Sequence, residues 1–429
     1  KHSSRYATVA RNIRVSSVPN SGPVSSTRGS EIPARTNSLD AARISSSTRW
    51  PFINNSCPPG LARGTHKGTN VFKALTAPDF ICTTCLNPIE LYLALLKFSM
   101  SQHNIRLEVM RSLEPKIDEF IETFLIPIDE IWQPTDFLPD SQSEEFFKEV
   151  AEIQEGAKEM GYDLWVTLVA DTITEEALPT YESWLLDIDG IDQHEKKNGW
   201  AKWIRNWTAE ENRHGDVLSK YLYLSGRVNM KEVERSTQHL IADGFDIGTD
   251  RDPYKNFVYT SFQELATNIS HKRVGQFAKK TGNHLLGKMC NIIAGDEMRH
   301  HLAYREFVKH IIDQDPSQMV LAFADMMKKK IVMPAHFLRE SGEAISSAFE
   351  TFSNCAQRLG VYTSKDYIEI LEKLNTHWNL EHLRALSDEA EKAREYLVKL
   401  PDRLTRISER MRYPQEQYHF KWVTANGVL

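Results

Sequence analysis

The sequence predicts an all-α fold on three grounds. Beyond about residue 85, long runs proceed with few helix breakers, no alternation of useful strand length occurs, and Gly or Pro falls between the runs. In chain order the helical candidates are 102–124, 143–158, 161–188, 198–224, 230–242, 253–280, 283–313, 317–330, 343–359 and 365–398. Gly226, Gly244 and Gly282 follow the fourth, fifth and sixth, where a helix stops, and Pro316 parts the seventh from the eighth. At 1.5 Å per residue the longest would reach about 40 Å, the length of bundle helices.

The first 85 residues read differently. They are rich in Ser, Pro, Gly and Thr without helical periodicity, the composition of a disordered segment, so 1–85 is expected to be a leader and 86–429 one helical domain. Residues 1–75 hold 11 Lys and Arg against Glu31 and Asp40; this net +9 leaves −15 for the rest of a chain whose formal charge is −6. An Arg- and Ser-rich, acid-poor leader is the composition of an organelle transit peptide, and a disordered tail of other purpose would share it. The five cysteines are odd in number and scattered, Cys82 and Cys85 being a lone C-x-x-C, so no disulfide framework is visible and a reducing compartment is expected. At 41% hydrophobic and 26% charged residues the composition is that of an ordinary soluble globular protein. The apolar stretch 88–100 is interrupted by Glu90 and Lys97 and is too short to span a bilayer. Neither a membrane nor a nucleic acid is expected as a partner.

The chemistry lies in two copies of Glu-x-x-His, Glu211-Asn-Arg-His214 and Glu297-Met-Arg-His300. Residues i and i+3 share a helix face, so each copy presents one carboxylate and one imidazole together. A further glutamate precedes each copy at similar distance, Glu175 before Glu211 and Glu264 before Glu297. Four Glu and two His from four helices is the ligand inventory of the carboxylate-bridged di-iron or di-manganese site of ferritin-like bundles. Carboxylates are hard ligands able to bridge two ions, and each imidazole fills one position. Chance matches exist: Glu416-Gln-Tyr-His419, beside Pro414, reads as one. Thr208 to Glu211 and Thr172 to Glu175 also match a helix capping box, but both lie inside helical runs, where an unpaired carboxylate in a bundle interior would be costly.

At these residues the chain also resembles a known family, the soluble plant plastid acyl-carrier-protein desaturases of the stearoyl type. The matching words include Trp132-Gln-Pro-Thr-Asp-Phe-Leu-Pro-Asp140, Ile173-Thr-Glu-Glu-Ala-Leu-Pro-Thr-Tyr181, Trp207-Thr-Ala-Glu-Glu-Asn-Arg-His-Gly215 and Tyr259-Thr-Ser-Phe-Gln-Glu264. They keep family order over roughly 105–425. The resemblance implies a ferritin-like four-helix bundle core with additional packed helices, and two Fe(2+) per subunit. Glu175, Glu211 and His214 would hold one iron and Glu264, Glu297 and His300 the other, with two glutamates bridging. It also implies an electron path through Trp132, His214 and Asp296, and a threonine, Thr267, near the oxygen site. Core packing for Trp132, a hydrogen bond to a ligand histidine for Asp296 and a bond back to a helix carbonyl for Thr267 are the plainer readings.

The implied activity is insertion of a cis double bond into a saturated acyl chain on acyl carrier protein, of the stearoyl or palmitoyl delta-9 type. Dioxygen and electrons from ferredoxin would be used, in a plastid homodimer. Candidate docking residues for the acidic carrier are Arg299, Lys328, Lys329 and Lys330, although a lysine run is also an ordinary solvated helix face. Several positions depart from the family pattern. Met298 and His301 alter the word around the second histidine, and Trp184, Ile247 and Asn256 replace usual residues near the fatty-chain cavity, so these three are expected to bear on chain length. The rival readings are another di-iron oxidase and a catalytically silent paralogue.

Overall fold

The computed structural model describes residues 88–195, 197–412 and 418–423. The expected leader, Cys57, the Cys82/Cys85 pair and Glu416 lie outside the described residues. Among the described residues there are thirteen α-helices and one isolated β-bridge, between Val228 and Val423. The helices are α1 (Pro88–Leu113), α2 (Ile117–Phe124), α3 (Phe146–Gly156), α4 (Tyr162–Glu176), α5 (Leu178–Leu185) and α6 (Gly199–Ser225). There follow α7 (Met230–Asp243), α8 (Pro253–Lys280), α9 (His284–Gln314), α10 (Pro316–Lys329), α11 (Phe349–Leu359), α12 (Ser364–His377) and α13 (Asp388–Ser408). None of them is long and apolar enough to cross a membrane.

Four of these helices close a bundle: α6 packs against α4 and α9, and α8 packs against α9 and α4. Their ends are set by local chemistry. The Asp252 carboxylate accepts the Tyr254 N–H at 3.0 Å with Pro253 as the first helical residue of α8, and Asn198 and Asn283 cap α6 and α9 in the same way. Gly226, at φ +64°, gives α6 a left-handed stop. The approach of α4 to α6 depends on Gly215, because a Cβ there would lie 3.0 Å from the Glu176 nitrogen and 3.1 Å from the Glu175 carbonyl carbon. That contact is to the backbone of Glu175 itself and lies one residue from His214, so a close approach of the two helices occurs at the site.

The outer helices thicken this core. α2 lies on α6 and α9, α7 and α11 cover α4, and α10, α12 and α13 form a layer against α8. Four predicted runs differ from the observed helices. The run 102–124 breaks at Pro115, which sits in a 3-10 turn (Glu114–Lys116) between α1 and α2, and 161–188 breaks at Ala177, just ahead of Pro179 in α5. The run 343–359 begins only at Phe349. The run 365–398 is two helices, α12 and α13, parted by left-handed Asn379 and Ala385 (φ +50° and +59°), and the second passes through Pro401 to Ser408.

Candidate metal centre

Each bundle helix contributes to one buried cluster. α4 supplies Glu175, α6 supplies Glu211 and His214, α8 supplies Glu264, and α9 supplies Glu297 and His300. Their ligand atoms form two overlapping groups, Glu175–Glu211–His214–Glu297 and Glu211–Glu264–Glu297–His300, each within 4.8 Å. Glu211 and Glu297 belong to both, so the two groups meet across these carboxylates. The His214 Nδ1 lies 3.2 Å from Glu211 and 3.3 Å from Glu297, and the His300 Nδ1 lies 2.7 Å from Glu211 and 3.6 Å from Glu264.

The outer nitrogens of the two imidazoles are held by carboxylates of the opposite repeat. His214 Nε2 lies 3.2 Å from Asp296 of α9, and His300 Nε2 lies 3.0 Å from Glu210 of α6. Arg299 joins these outer carboxylates, donating to Glu210 at 2.7 Å and Asp296 at 2.6 Å, with a third bond to the Phe124 carbonyl. Arg213 donates to Asp296 at 3.1 Å, and the Trp132 N–H reaches the same carboxylate at 2.8 Å. An imidazole whose Nε2–H donates to a carboxylate turns its Nδ1 lone pair inward. Neither Nδ1 finds a hydrogen-bond donor, and both face carboxylates. An Nδ1 set among carboxylates needs positive charge beside it, supplied by a second ring proton in the metal-free cluster or by a bound cation in its place, so this donor set fits two hard or borderline cations of the iron type.

Proton affinities reflect the same crowding. Burial, with the neighbouring Glu297 and Glu211 charges, pushes Glu175 up to about 7, although its bond with His271 at 2.9 Å opposes the shift. Glu264 is likewise pushed well up by burial and by Glu211 and Glu297. Burial would raise Glu211 too, but in the metal-free cluster the protonated His214 and His300 on either side outweigh it and hold this carboxyl well below its usual range. Asp296 is kept low in the same way by His214 and Arg299.

A cavity runs from half-exposed Phe349 and Ser353 on α11 inward to Trp207, Glu211 and Glu297. Its outer wall is Met333–His336 and one face of α11, and its inner wall is α4 and α8. A cavity surface that is mostly apolar therefore leads to one face of the carboxylate cluster, with Asp171, Thr174, Gln263 and Ser270 among its polar lining.

The model of the fatty acid desaturase family matches residues 105–424. The chain belongs to this family. It is 49% identical over 330 residues to the chloroplastic stearoyl-[acyl-carrier-protein] 9-desaturase of Spinacia oleracea, covering 76% of this chain and 82% of that one. It is 47% identical over 347 residues to stearoyl-[acyl-carrier-protein] 9-desaturase 1 of Arabidopsis thaliana, covering 80% and 87%. The Gossypium hirsutum relative is 49% identical over 352 residues, covering 82% and 85%.

Within this desaturase the remaining predicted residues fall in different places. Thr267 lines the cavity, and its hydroxyl has three acceptors in reach, Glu297 at 2.7 Å and the Glu264 and Gln263 carbonyls at 3.0 and 3.3 Å. Trp132 stacks parallel to His214, the ring centres 6.1 Å apart. Trp184, Ile247 and Asn256 are not brought to the cavity lining. Trp184 packs edge-on against Tyr259 at 5.6 Å, Ile247 is buried, and the Asn256 amide is turned to the Asp250 and Asp252 carbonyls at the start of α8. The Arg299 guanidinium is committed to Glu210, Asp296 and Phe124, whereas Lys328, Lys329 and Lys330 are exposed at the end of α10. Met298 and His301 line a separate surface pocket, with His301 Nδ1 2.7 Å from the Ser261 carbonyl oxygen.

Sequence reasoning passed over Glu210, Arg213 and His271. A signal for the first two was present: both copies read acid-Glu-x-Arg-His, Glu210 to His214 and Asp296 to His300. His271 stands two turns after Glu264 with nothing in its spacing to single it out.

Proposed function

We propose that this desaturase inserts a cis double bond into a saturated acyl chain carried on acyl carrier protein. The type is stearoyl or palmitoyl delta-9, and the compartment is the plastid. Two Fe(2+) per subunit, electrons from ferredoxin and a homodimer complete the reading. Residues 1–85 would serve as its transit leader and 86–429 as the catalytic domain. The observation that carries it is the mostly apolar cavity ending on two overlapping Glu/His groups, in a chain whose relatives are named stearoyl-[acyl-carrier-protein] 9-desaturases.

Glu175, Glu211 and His214 would hold one ion and Glu264, Glu297 and His300 the other, with Glu211 and Glu297 common to both. The pair supplies, when bound, the dioxygen-dependent oxidation that removes two hydrogens from neighbouring methylenes. The protein's share is placement. Methylenes along an acyl chain are chemically alike, so the choice among them comes from where the cavity walls hold the chain beside Trp207 and Thr267. Thr267, with its hydroxyl 2.7 Å from Glu297, orients that carboxylate on the cavity side. Asp296 fixes the His214 ring and ties it to Trp132, giving electrons a short route inward from the half-buried indole. The exposed lysines at the end of α10 would meet the acidic carrier.

The test is turnover of the iron-loaded protein with reduced ferredoxin and carrier proteins bearing myristoyl, palmitoyl or stearoyl chains, with products mapped by mass spectrometry. A cis-monoene that vanishes in Glu211→Ala is expected. Two irons bound per chain with no unsaturated product from any substrate would sink the assignment.

A further inference from the structure

The outer wall of the cavity is one excursion of the chain. It runs from Met333 through the 3-10 turn Pro334–Phe337, out along an exposed loop, and back into α11 at Phe349 and Phe352. Between its two wall-forming ends the excursion closes on itself where the Ala348 N–H meets the Leu338 carbonyl at 3.2 Å and where the His336 ring stacks on Phe349, and Arg339 pairs with Asp243 of α7 at 2.6 and 2.9 Å. Next to that closure sits Glu340, a carboxylate 1% exposed, and none of its partners belongs to the bundle. It accepts from the Tyr418 hydroxyl at 3.1 Å and from the Lys421 backbone N–H. The Lys421 ammonium adds a bond to the Ser341 carbonyl at 2.8 Å.

The segment Tyr418–Val423 is itself anchored to the helices behind the wall. Trp422 is fully buried, its N–H donates to Ser236 of α7 at 2.7 Å, and its carbonyl accepts from Asn229 at 2.7 Å. Phe420 stacks on Trp422 with ring centres 4.6 Å apart. The Tyr162 hydroxyl, in the first turn of α4, donates to the Tyr418 carbonyl at 2.8 Å and accepts the Phe420 N–H at 2.7 Å. His419, the end of the chance Glu-x-x-His match, lies edge-on to the Tyr162 ring. Among the described residues, the polar contacts of this short segment reach the cavity-wall loop at Glu340 and Ser341 on one side, and α4, α7 and the residues just before α7 on the other.

We propose that Tyr418–Val423 is a strap that fixes the Met333–Ala356 wall through Glu340, and that this C-terminal segment thereby helps determine which acyl chain the cavity accepts. The second half rests on the acyl reading of the cavity; the first does not. A wall held by its own loop, the Arg339–Asp243 pair and the packing of α11 alone could shift outward between those points and take chains of several widths and lengths with similar ease. A wall bolted through a buried carboxylate to two helices presents one fixed shape.

Hydrogen–deuterium exchange on the full chain tests the strap in two variants, Glu340→Ala and Tyr162→Phe. The second keeps the ring and removes only the hydroxyl, so it guards against a folding defect. Exchange across 333–356 should rise about tenfold in both while α8 and α9 keep their protection. In turnover with an equal mixture of myristoyl, palmitoyl and stearoyl carrier proteins, the spread of relative kcat/KM should narrow at least about threefold, mostly through KM. Unchanged exchange in 333–356 would overturn the strap. Faster exchange with an unaltered order and spread of chain preference would overturn its role in selectivity. Failure of the parent protein to desaturate any chain would defeat the acyl reading, and the exchange comparison would still decide the strap.

Discussion

Glu210 and Asp296 each serve the histidine of the other repeat, so each half of the cluster is oriented by a carboxylate from across the bundle. Outer partners of this kind fix the ring and its tautomer, and losing one typically costs about 10–100-fold in metal affinity. Glu210→Gln should therefore weaken iron binding by about that range in a chelator competition, with the fold intact by circular dichroism; unaltered affinity would mean Arg299 and the helix alone hold the ring. Trp184 supports a second expectation. Its packing on Tyr259 stands apart from the cavity lining, so Trp184→Ala should extend the preferred acyl chain only if that packing closes the cavity's far end, as product analysis across chain lengths would show. The six cluster residues were legible because i, i+3 spacing alone places carboxylate and imidazole on one helix face. Of their outer partners Asp296 was named through the family resemblance, whereas Glu210 was passed over, because spacing along one helix does not say which acid on another helix will lie opposite.

The helices of the bundle were legible where local chemistry marks both ends. The run 253–280 agrees with α8 to the residue, with Asp252 and Pro253 before it and Gly282 soon after. The run 365–398 was not, because it is broken at Asn379 and Ala385, which adopt positive φ, and Ala is a poor signal for such a stop. α13 also carries Pro401 in its interior, where the ring cannot donate to the Leu397 carbonyl. Asn375 of α12 fills that gap, its amide donating to Leu397 at 2.9 Å. Asn375→Ala should thus cost about 1 kcal/mol in denaturant unfolding, the worth of one such bond, and the loss should disappear in a Pro401→Ala background. At Gly215 the expected effect is larger. Gly215→Val would force α6 from α4 at the site and should cost about 1–3 kcal/mol while lowering iron occupancy; retention of two irons at parental stability would contradict the close-approach role.

Across the whole molecule, several ion pairs tie the bundle to the outer helices, among them Lys255–Asp325, Arg358–Asp163 and Arg273–Asp366. Arg273 of α8 reaches both oxygens of Asp366, at 2.5 and 2.6 Å, and the carbonyls of Gly360 and Val361. Burial would raise Asp366, but Arg273 and the Thr363 capping bonds outweigh it and hold the carboxyl below its usual range. A carboxylate whose folded-state pKa is depressed contributes stability that is fully present above its unfolded value, about 3.9, and is lost as pH falls toward the folded one. Asp366→Asn should accordingly flatten the decline of Tm below about pH 4, and an unchanged acid slope would show that other carboxylates set it.

The sharing of Glu211 and Glu297 between the two ligand groups bears on how the protein fills. A first ion, if held by one group, would draw on two carboxylates that also form half of the neighbouring group, and would so pre-arrange the place of the second. Loading should then be cooperative, and partly filled chains scarce. In native mass spectrometry at half-saturating iron, chains carrying none and chains carrying two should outnumber those carrying one, whereas independent sites would make the singly loaded species the most abundant.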